Sequence, residues 1–256
     1  MSEAHLLYSV EKNVARLTIN REAQRNAISL EAIDLISKYL DEAEADDNVR
    51  VILITGSGDK AFCSGADLGG AVDGKIQQGF KNYAALITRL SSYPKPVVAR
   101  INGACMAGGM GLMLACDIVI AKNDVKFGTP EVNVGLWPMM IGALIYRNVL
   151  RKKAMEMILL GERLTADQAL GMGLITRAVQ PDRLDEEVNQ ILKSLAAKSP
   201  IGMKIGKEAF YAMADMPFEE AVDFLSGKIA EVAATEDARE GITAFIEKRK
   251  PNFKGK

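Results

Sequence analysis

The feature that most constrains the fold is the stretch from Arg100 to Leu136, in which apolar and small residues are interrupted by glycine. It begins as an apolar strand, passes through a turn at Ala107-Gly-Gly-Met-Gly111 into a helix of small residues, and returns to a strand after Asp117. Glycine lets the backbone approach a ligand closely, and the first N–H groups of a helix lack internal partners and carry the positive end of its dipole. The stretch therefore predicts a site for a developing negative charge, with the carboxylate of Glu131 nearby in sequence.

Strand and helix patterns alternate before this stretch. Two apolar runs on either side of Glu11-Lys12-Asn13 predict a hairpin, and Val49 to Thr55 is typical of a buried strand. Ser29 predicts the N-cap of a helix that extends to about residue 44, because apolar residues then recur at helical spacing. Residues 56–75 are rich in glycine and aspartate, which predicts a long functional or mobile loop without a regular element.

The predicted elements change from a mixture of strands and helices to helices alone near Ser199-Pro200. Further elements are predicted as a helix at 80–90, a strand at 97–102, short helices at 142–150, 153–160 and 166–170, a strand at 174–179 and a helix at 182–197. Beyond residue 199 only helical patterns remain, at about 200–214, 217–234 and 236–249. The sequence thus predicts an α/β body over 1–198, built of strand–strand–helix units, and a helical docking or oligomerising region over 199–256.

Composition excludes several classes of function. A formal net charge of -1 gives no general attraction to nucleic acid. The three cysteines form no C-x-x-C pair, which argues against a disulfide framework and a zinc site and favours a reducing cytoplasm. No signal peptide and no membrane-spanning run are recognised, so we expect a soluble protein that binds neither a metal nor a membrane. The only histidine, His5, lies in a terminus expected to fray, which removes catalysis by Ser-His-Asp or Cys-His groups.

Two glycine-containing loops leave neighbouring predicted strands at the same end of the sheet. Gly65-Ala66-Asp67 follows the strand that ends near Thr55, and Ala107-Gly108-Gly109 follows the strand at 97–102. Such loops can aim one backbone N–H each at a common point and form an oxyanion hole, which contributes a few kcal/mol per donor. The same glycines are equally expected if they only allow a helix to pack closely on the sheet.

Glu131 precedes the apolar run Val132 to Met140. A carboxylate in so apolar a setting would resist ionisation and could be tuned for proton transfer. The alternative is a turn glutamate that faces water.

A weaker pattern lies at Gly69 to Lys75, which fits the first part of a phosphate-binding loop. Ile76 stands where the magnesium-binding hydroxyl should follow, and no strand leads into the segment. Nucleotide binding here remains an alternative hypothesis beside a plain surface loop.

Taken together, these residues resemble the crotonase family, the enoyl-CoA hydratase/isomerase superfamily. The matching residues are Asn20-Arg21, Asn26-Ala27, Ala61 to Asp67, Asn102 to Gly109, Cys116-Asp117, Phe127 to Glu131, Gly161, Ala169, Gly173-Leu174 and Ala244 to Lys248. The resemblance implies an α/β, crotonase-like spiral of β-β-α units whose C-terminal helices build homotrimers or hexamers. It implies an acyl-CoA thioester as substrate, with coenzyme A as part of it and no tightly bound cofactor.

The resemblance also implies roles for single residues. The N–H groups of Ala66 and Gly108 would polarise the thioester carbonyl, and Glu131 would be the general acid/base. Coenzyme contacts are implied at Arg25, Ala66, Asp67, Leu68 and Gly108, and at Phe245 and Lys248 of a neighbouring subunit, where the lysine would meet a phosphate.

Gly111 departs from the family pattern, because hydratases of this family carry a glutamate there. Adding water needs a base and an acid, whereas moving a double bond needs one group that removes and returns a proton. We therefore expect an enoyl-CoA isomerase with Glu131 as sole acid/base. The alternatives are a hydratase with an atypical second acid and a non-catalytic acyl-CoA-binding protein.

Overall fold

The computed structural model describes residues 4–67 and 76–256, and its elements alternate between strand and helix through most of these ranges. The strands are β1 (Leu6–Glu11), β2 (Val14–Ile19), β3 (Val51–Gly56), β4 (Ala61–Cys63), β5 (Val97–Ile101), β6 (Ala104–Met106), β7 (Ile118–Lys122), β8 (Lys126–Gly128), β9 (Leu164–Thr165) and β10 (Arg177–Val179). The helices are α1 (Leu30–Ala45), α2 (Ile76–Ser91), α3 (Gly108–Leu114), α4 (Met139–Asn148), α5 (Arg151–Leu160), α6 (Ala166–Gly171), α7 (Leu184–Ala196), α8 (Pro200–Ala212), α9 (Phe218–Ala233) and α10 (Glu236–Ile246). Short 3-10 helices lie at Glu22–Gln24, Pro130–Val134 and Pro181–Arg183.

A six-stranded sheet forms the centre of the body, in the order β1-β2-β3-β5-β7-β10. The predicted hairpin is confirmed, since β1 and β2 pair antiparallel from Leu6 opposite Ile19 to Glu11 opposite Val14. The other neighbours in this sheet pair in parallel. The α/β class expected from the sequence is confirmed, and the loops after β3 and β5 leave the same end of the sheet.

A second, four-stranded sheet was not predicted from the sequence. Its order is β4-β6-β8-β9, with β4, β6 and β8 parallel and β9 antiparallel to β8. The expectation that residues 56–75 hold no regular element is wrong, because β4 lies within them and is fully buried. Strands of two or three residues carry too little periodicity to be recognised.

The central sheet is covered on both faces, so its strands read as continuous apolar runs. Along β3, Val51 and Leu53 pack toward α7 with Leu184 and Val188, whereas the alternate residues Ile52 and Ile54 belong to the larger core with α1 and α2. The predicted buried strand is thus confirmed.

The N-terminus is more ordered than expected at His5. Its Nδ1 lies 2.7 Å from the hydroxyl of Ser29 and 3.3 Å from a carboxylate oxygen of Glu31. Ser29 also caps α1, as predicted, by accepting a hydrogen bond from the Ala32 N–H at 3.1 Å. The prediction that His5 lies in a frayed terminus is wrong, because these side chains hold it against the start of α1.

The C-terminal region is helical as predicted and is tied to the body. Arg50, just before β3, donates to the carbonyl of Phe253 at 2.9 Å, and Lys207 of α8 forms an ion pair with Asp117. The buried Asp237 accepts bonds from the Ser199 hydroxyl and from the N–H groups of the last residues. Within the described ranges, no helix is long and apolar enough to cross a membrane.

Candidate active site

Ala66 and Gly108 are neighbours, as the loop argument predicted. The short parallel strands β4 and β6 lead directly into the two segments and align them. A Cβ placed on Gly108 would lie 3.5 Å from the backbone nitrogen of Ala66. Neither of these two N–H groups donates a hydrogen bond to the part of the chain that the structure describes. Two unsatisfied donors therefore stand side by side at the start of α3.

A backbone bridge to Ile28 fixes the first of these donors. The Ile28 N–H donates to the Gly65 carbonyl at 2.8 Å, and the Asp67 N–H donates to the Ile28 carbonyl at 2.9 Å. In a parallel bridge the residue between these two bonds directs its own N–H to the opposite side, which here leaves the Ala66 N–H available. The Asp67 side chain, implied as a coenzyme contact, forms an ion pair with Arg21 at 2.7 Å.

The second donor depends on a strained turn. Ala107 has φ 50° and ψ -126°, a conformation that L residues rarely adopt and that costs about 1–3 kcal/mol. Its N–H donates to the Gly128 carbonyl at 2.9 Å, which helps to hold the turn. The sequence placed Gly108 to Gly111 in the turn, but they form the first turn of α3.

The glycines of α3 differ in how much space surrounds them. A Cβ on Gly109 would overlap the backbone of Cys63, so this residue serves close helix packing. A Cβ on Gly108 would meet only ordinary contacts at 3.5 Å or more. Packing therefore does not demand glycine at 108, whereas a ligand approaching the Ala66 N–H would benefit from the open space.

Glu131 is half-buried in the first turn of the 3-10 helix Pro130–Val134. Burial raises the pKa of its carboxyl group, partly offset by a hydrogen bond from its own backbone N–H. Its Oε2 atom is buried and has no hydrogen-bond partner among the described residues. The carboxylate is thus partly shielded from water, whereas the large apolar residues that follow it in the expected apolar run, such as Val134, Leu136 and Met139, are exposed.

Sequence reasoning missed Tyr83, a buried residue of α2. Its hydroxyl donates to the carbonyl of Gly108, and a Cβ placed on Gly111 would overlap the same hydroxyl. Burial raises the pKa of Tyr83 well above its ordinary value, and the neighbouring Cys63 and Cys105 add to the effect, followed by Glu131. The only sequence signal was a tyrosine on the apolar face of a helix, which ordinarily indicates core.

A basic cavity of about 330 Å³ lies along the segments that precede the two donors. It includes Ser64 and Met106, each two residues before a donor, and the predicted contact Arg25. Its charged lining consists of Arg25, Lys60, Lys122, Lys126, Arg163, Asp59 and Asp124. Five cations against two carboxylates make this cavity suitable for an anionic group.

Two further predicted contacts lie in and just after α10. Phe245 is 84% exposed at the end of α10, and Lys248 is exposed just after it. Leu68 and the segment Gly69 to Lys75 lie outside the described residues. Within the described ranges, no group of three or more His, Cys, Asp or Glu side chains could hold a metal ion.

Comparison with known proteins gives consistent similarities. The family model for enoyl-CoA hydratase/isomerase matches residues 9–256. The chain is 33% identical over 258 residues to a 2,3-dehydroadipyl-CoA hydratase of Escherichia coli (strain K12), covering 100% of both chains. It is 32% identical over 251 residues to a short-chain-enoyl-CoA hydratase of Clostridium acetobutylicum, covering 96% of each. A crystal structure of an enoyl-CoA hydratase from Mycobacterium smegmatis superimposes with a TM-score of 0.93 at 33% identity, covering 98% of this chain and 99% of the other.

Proposed function

The chain belongs to the enoyl-CoA hydratase/isomerase family, whose enzymes act on acyl-CoA, and we propose that it moves the double bond of an enoyl-CoA from the 3- to the 2-position. The observation that supports this proposal most directly is the number of carboxylates in the site. Glu131 supplies one half-buried carboxylate, and Gly111 supplies none at the position where the resemblance expects a second. One carboxylate is sufficient to remove and return a proton, which is the whole requirement of a double-bond shift.

The reaction follows from the positions of three groups. The Glu131 carboxylate removes a proton from C2 of the 3-enoyl thioester, and the electron pair moves toward the thioester oxygen to give a dienolate. The N–H groups of Ala66 and Gly108 stabilise this oxyanion by hydrogen bonds. The protonated Glu131 then donates the proton to C4, and the electrons return to form the double bond between C2 and C3. The raised pKa of Glu131 favours both steps, because it strengthens the base and keeps the acid available.

The basic cavity is the proposed site for the phosphates of coenzyme A. Its lining includes Arg25, and Ser64 and Met106 of the lining each precede an oxyanion donor by two residues, so the pantetheine arm of a thioester bound at Ala66 and Gly108 would extend toward these cations. Lysine and arginine at this density bind phosphate through charge-assisted hydrogen bonds. Asp67 stays a proposed coenzyme contact, although its side chain is paired with Arg21 and its N–H donates to the Ile28 carbonyl.

A hydratase with an unusual second acid is the other candidate. It is favoured by the names of two related enzymes, which are hydratases, and by the Tyr83 hydroxyl at Gly111 as a second proton-bearing group. A phenol of raised pKa is a weak acid. Tyr83 would therefore donate a proton during hydration less readily than Glu131 does during isomerisation.

We also propose that residues 199–256 build a trimer or hexamer of this chain. Large apolar side chains are exposed on the C-terminal helices, including Phe210, Phe218, Ile229, Ile242 and Phe245. Exposed apolar surface of this extent is typical of an interface. A neighbouring subunit would then bring its Phe245 and Lys248 to the coenzyme. A cytoplasmic location stays a prediction from the three buried, unpaired cysteines.

Purified protein should be assayed on 3-enoyl-CoA and 2-enoyl-CoA of several chain lengths. We expect isomerisation of the 3-enoyl ester, little hydration of the 2-enoyl ester, and loss of activity in Glu131→Gln. Hydration of 2-enoyl-CoA that survives Glu131→Gln would contradict both the reaction and the role of that residue. Tight coenzyme A binding without turnover on the whole panel would favour the non-catalytic alternative.

A further inference from the structure

Tyr83 takes up the volume that a side chain at position 111 would need. It extends from α2 to α3, where its hydroxyl lies against the Cα of Gly111, and a Cβ at that position would overlap both this hydroxyl and a methyl group of Ile141. The tyrosine is only 6% exposed. The site therefore has a phenol in place of a second acidic side chain, and the two cannot occupy this space together.

The hydroxyl is bonded to the residue that supplies one oxyanion donor. It donates to the carbonyl of Gly108, whose N–H is the first of α3. This N–H belongs to the peptide group that joins Ala107 to Gly108, and the backbone conformation of Ala107 is strained. A strained turn persists only where its surroundings over-determine it, and the bonds to Gly108 and from the Ala107 N–H are two such restraints.

We propose that Tyr83 is a positioning residue: its hydroxyl holds the first turn of α3, so that the Gly108 N–H stays beside that of Ala66 and polarises the thioester carbonyl. The inference rests on the proposed function for the identity of the bound group. It adds a residue of α2 to a site that the sequence assigned to the loops after β3 and β5 and to Glu131.

Tyr93 provides a matched control within the same protein. It is 1% exposed, and its hydroxyl also donates to a backbone carbonyl, that of Leu40 at 2.7 Å. Its acceptor belongs to α1, which carries none of the proposed catalytic groups. Tyr83→Phe and Tyr93→Phe therefore each remove one hydroxyl from a buried tyrosine bonded to a backbone carbonyl, and only the first should affect the reaction.

The experiment measures stability, turnover and carbonyl polarisation in both variants. The probe for polarisation is 2-butenoyl-CoA labelled with carbon-13 at the thioester carbonyl, whose stretching band moves to lower frequency when hydrogen-bond donors polarise it. We expect both variants to lower Tm to a similar degree. Only Tyr83→Phe should lower kcat, by about tenfold with KM little changed, and return the carbonyl band part of the way toward its frequency in solution.

The outcomes separate this inference from the proposed function. Wild-type protein that shifts the carbonyl band but isomerises no enoyl-CoA would refute the proposed reaction, while the band in Tyr83→Phe would still test the positioning role. A wild-type protein that leaves the band unmoved would overturn the inference. So would a Tyr83→Phe variant that keeps both the wild-type kcat and the wild-type band, because its hydroxyl would then serve stability alone.

Discussion

The hydroxyl of Tyr83 lies against Gly111, in the space where any larger side chain at that position would have to extend. This contact joins α2 to the first turn of α3. It explains why glycine is present at 111 in physical terms, whatever reaction the site performs. Substitution of Gly111 therefore tests this packing directly.

Gly111→Ala should therefore destabilise the protein, by about 1–3 kcal/mol from overpacking against Tyr83 and Ile141. Urea denaturation measures the change. Gly171→Ala is the control, because this exposed glycine ends α6 and its Cβ would meet nothing within 4 Å; we expect a gain of about 0.4–1 kcal/mol there. A Gly111→Ala variant as stable as wild type would show that Tyr83 moves aside easily.

Glu131→Gln should lower kcat by about a hundredfold or more while it stabilises the folded protein at neutral pH. Burial raises the pKa of Glu131, so the carboxyl group favours the folded state when protonated and this contribution is lost as pH rises through the folded-state pKa. Glutamine is neutral throughout, so its stability advantage should be present at pH 7 and shrink in acid. Thermal unfolding across the acidic range checks the sign. The opposite trend would mean that the carboxylate has a stabilising partner in the native protein.

The same raised pKa predicts the acid limb of the rate. Because the ionised carboxylate is the base, kcat/KM for a 3-enoyl-CoA should fall as pH drops below the pKa of Glu131, and the midpoint should lie above that of an ordinary glutamate. A pH–rate profile measures it. An acid limb at or below the ordinary value would argue that Glu131 is solvated when the enzyme works.

Much of the fold was readable from the sequence, since periodic runs such as those of α1 and β3 are long and their caps and buried faces agree. The small sheet was not, because β4 and β6 have three residues each and take their register from tertiary pairing. The convergence of the loops that contain Ala66 and Gly108 was predicted from their glycines and the strands before them, and the choice of these two residues as donors came from the family resemblance. Tyr83 was missed because its role depends on contact with Gly111, which lies 28 positions away in the sequence. The contact becomes visible only in the three-dimensional structure, where the Tyr83 hydroxyl occupies the space beside this glycine.

Removing cations from the basic cavity should weaken binding of the coenzyme. Lys126→Ala and Arg163→Ala should each raise KM for an acyl-CoA several-fold, more at low salt, because each removes a charge near the proposed phosphate site. KM for the matching acyl-pantetheine thioester, which lacks the nucleotide, should not change. Lys38→Ala on α1 is the control, since its exposed pair with Glu42 contributes little. Equal effects on both thioesters would place the phosphates elsewhere.

The exposed apolar side chains of the C-terminal helices predict a self-associated protein. Phe245→Glu should shift the mass measured by light scattering toward the single chain, because the phenylalanine is 84% exposed at the end of α10 and a carboxylate cannot be buried there without a partner. Lys248→Ala should leave the mass unchanged and raise KM for acyl-CoA. A monomeric wild-type protein would contradict the proposed trimer or hexamer.

Ala107→Gly should separate the stability of the site from its activity. Ala107 has φ 50° and ψ -126°, and glycine adopts this conformation without the cost of about 1–3 kcal/mol that alanine carries. The extra freedom of glycine in the unfolded chain takes back about 0.4–1 kcal/mol, so we expect a net gain of roughly 1 kcal/mol in the free energy of unfolding. Ala85→Gly, at an exposed position inside α2 with ordinary helical geometry, should instead lose about 1 kcal/mol.

The activity of Ala107→Gly should change in the other direction. A glycine at 107 leaves the peptide before Gly108 free to rotate, so the Gly108 N–H is held less firmly beside that of Ala66 and kcat should fall while KM stays near its wild-type value. The restraints that remain, from the Tyr83 hydroxyl and the Gly128 carbonyl, limit the loss. Combining Ala107→Gly with Tyr83→Phe should therefore reduce kcat by more than the product of the two single effects. Strictly multiplicative effects would show that the strained turn and the phenol act on the donor independently.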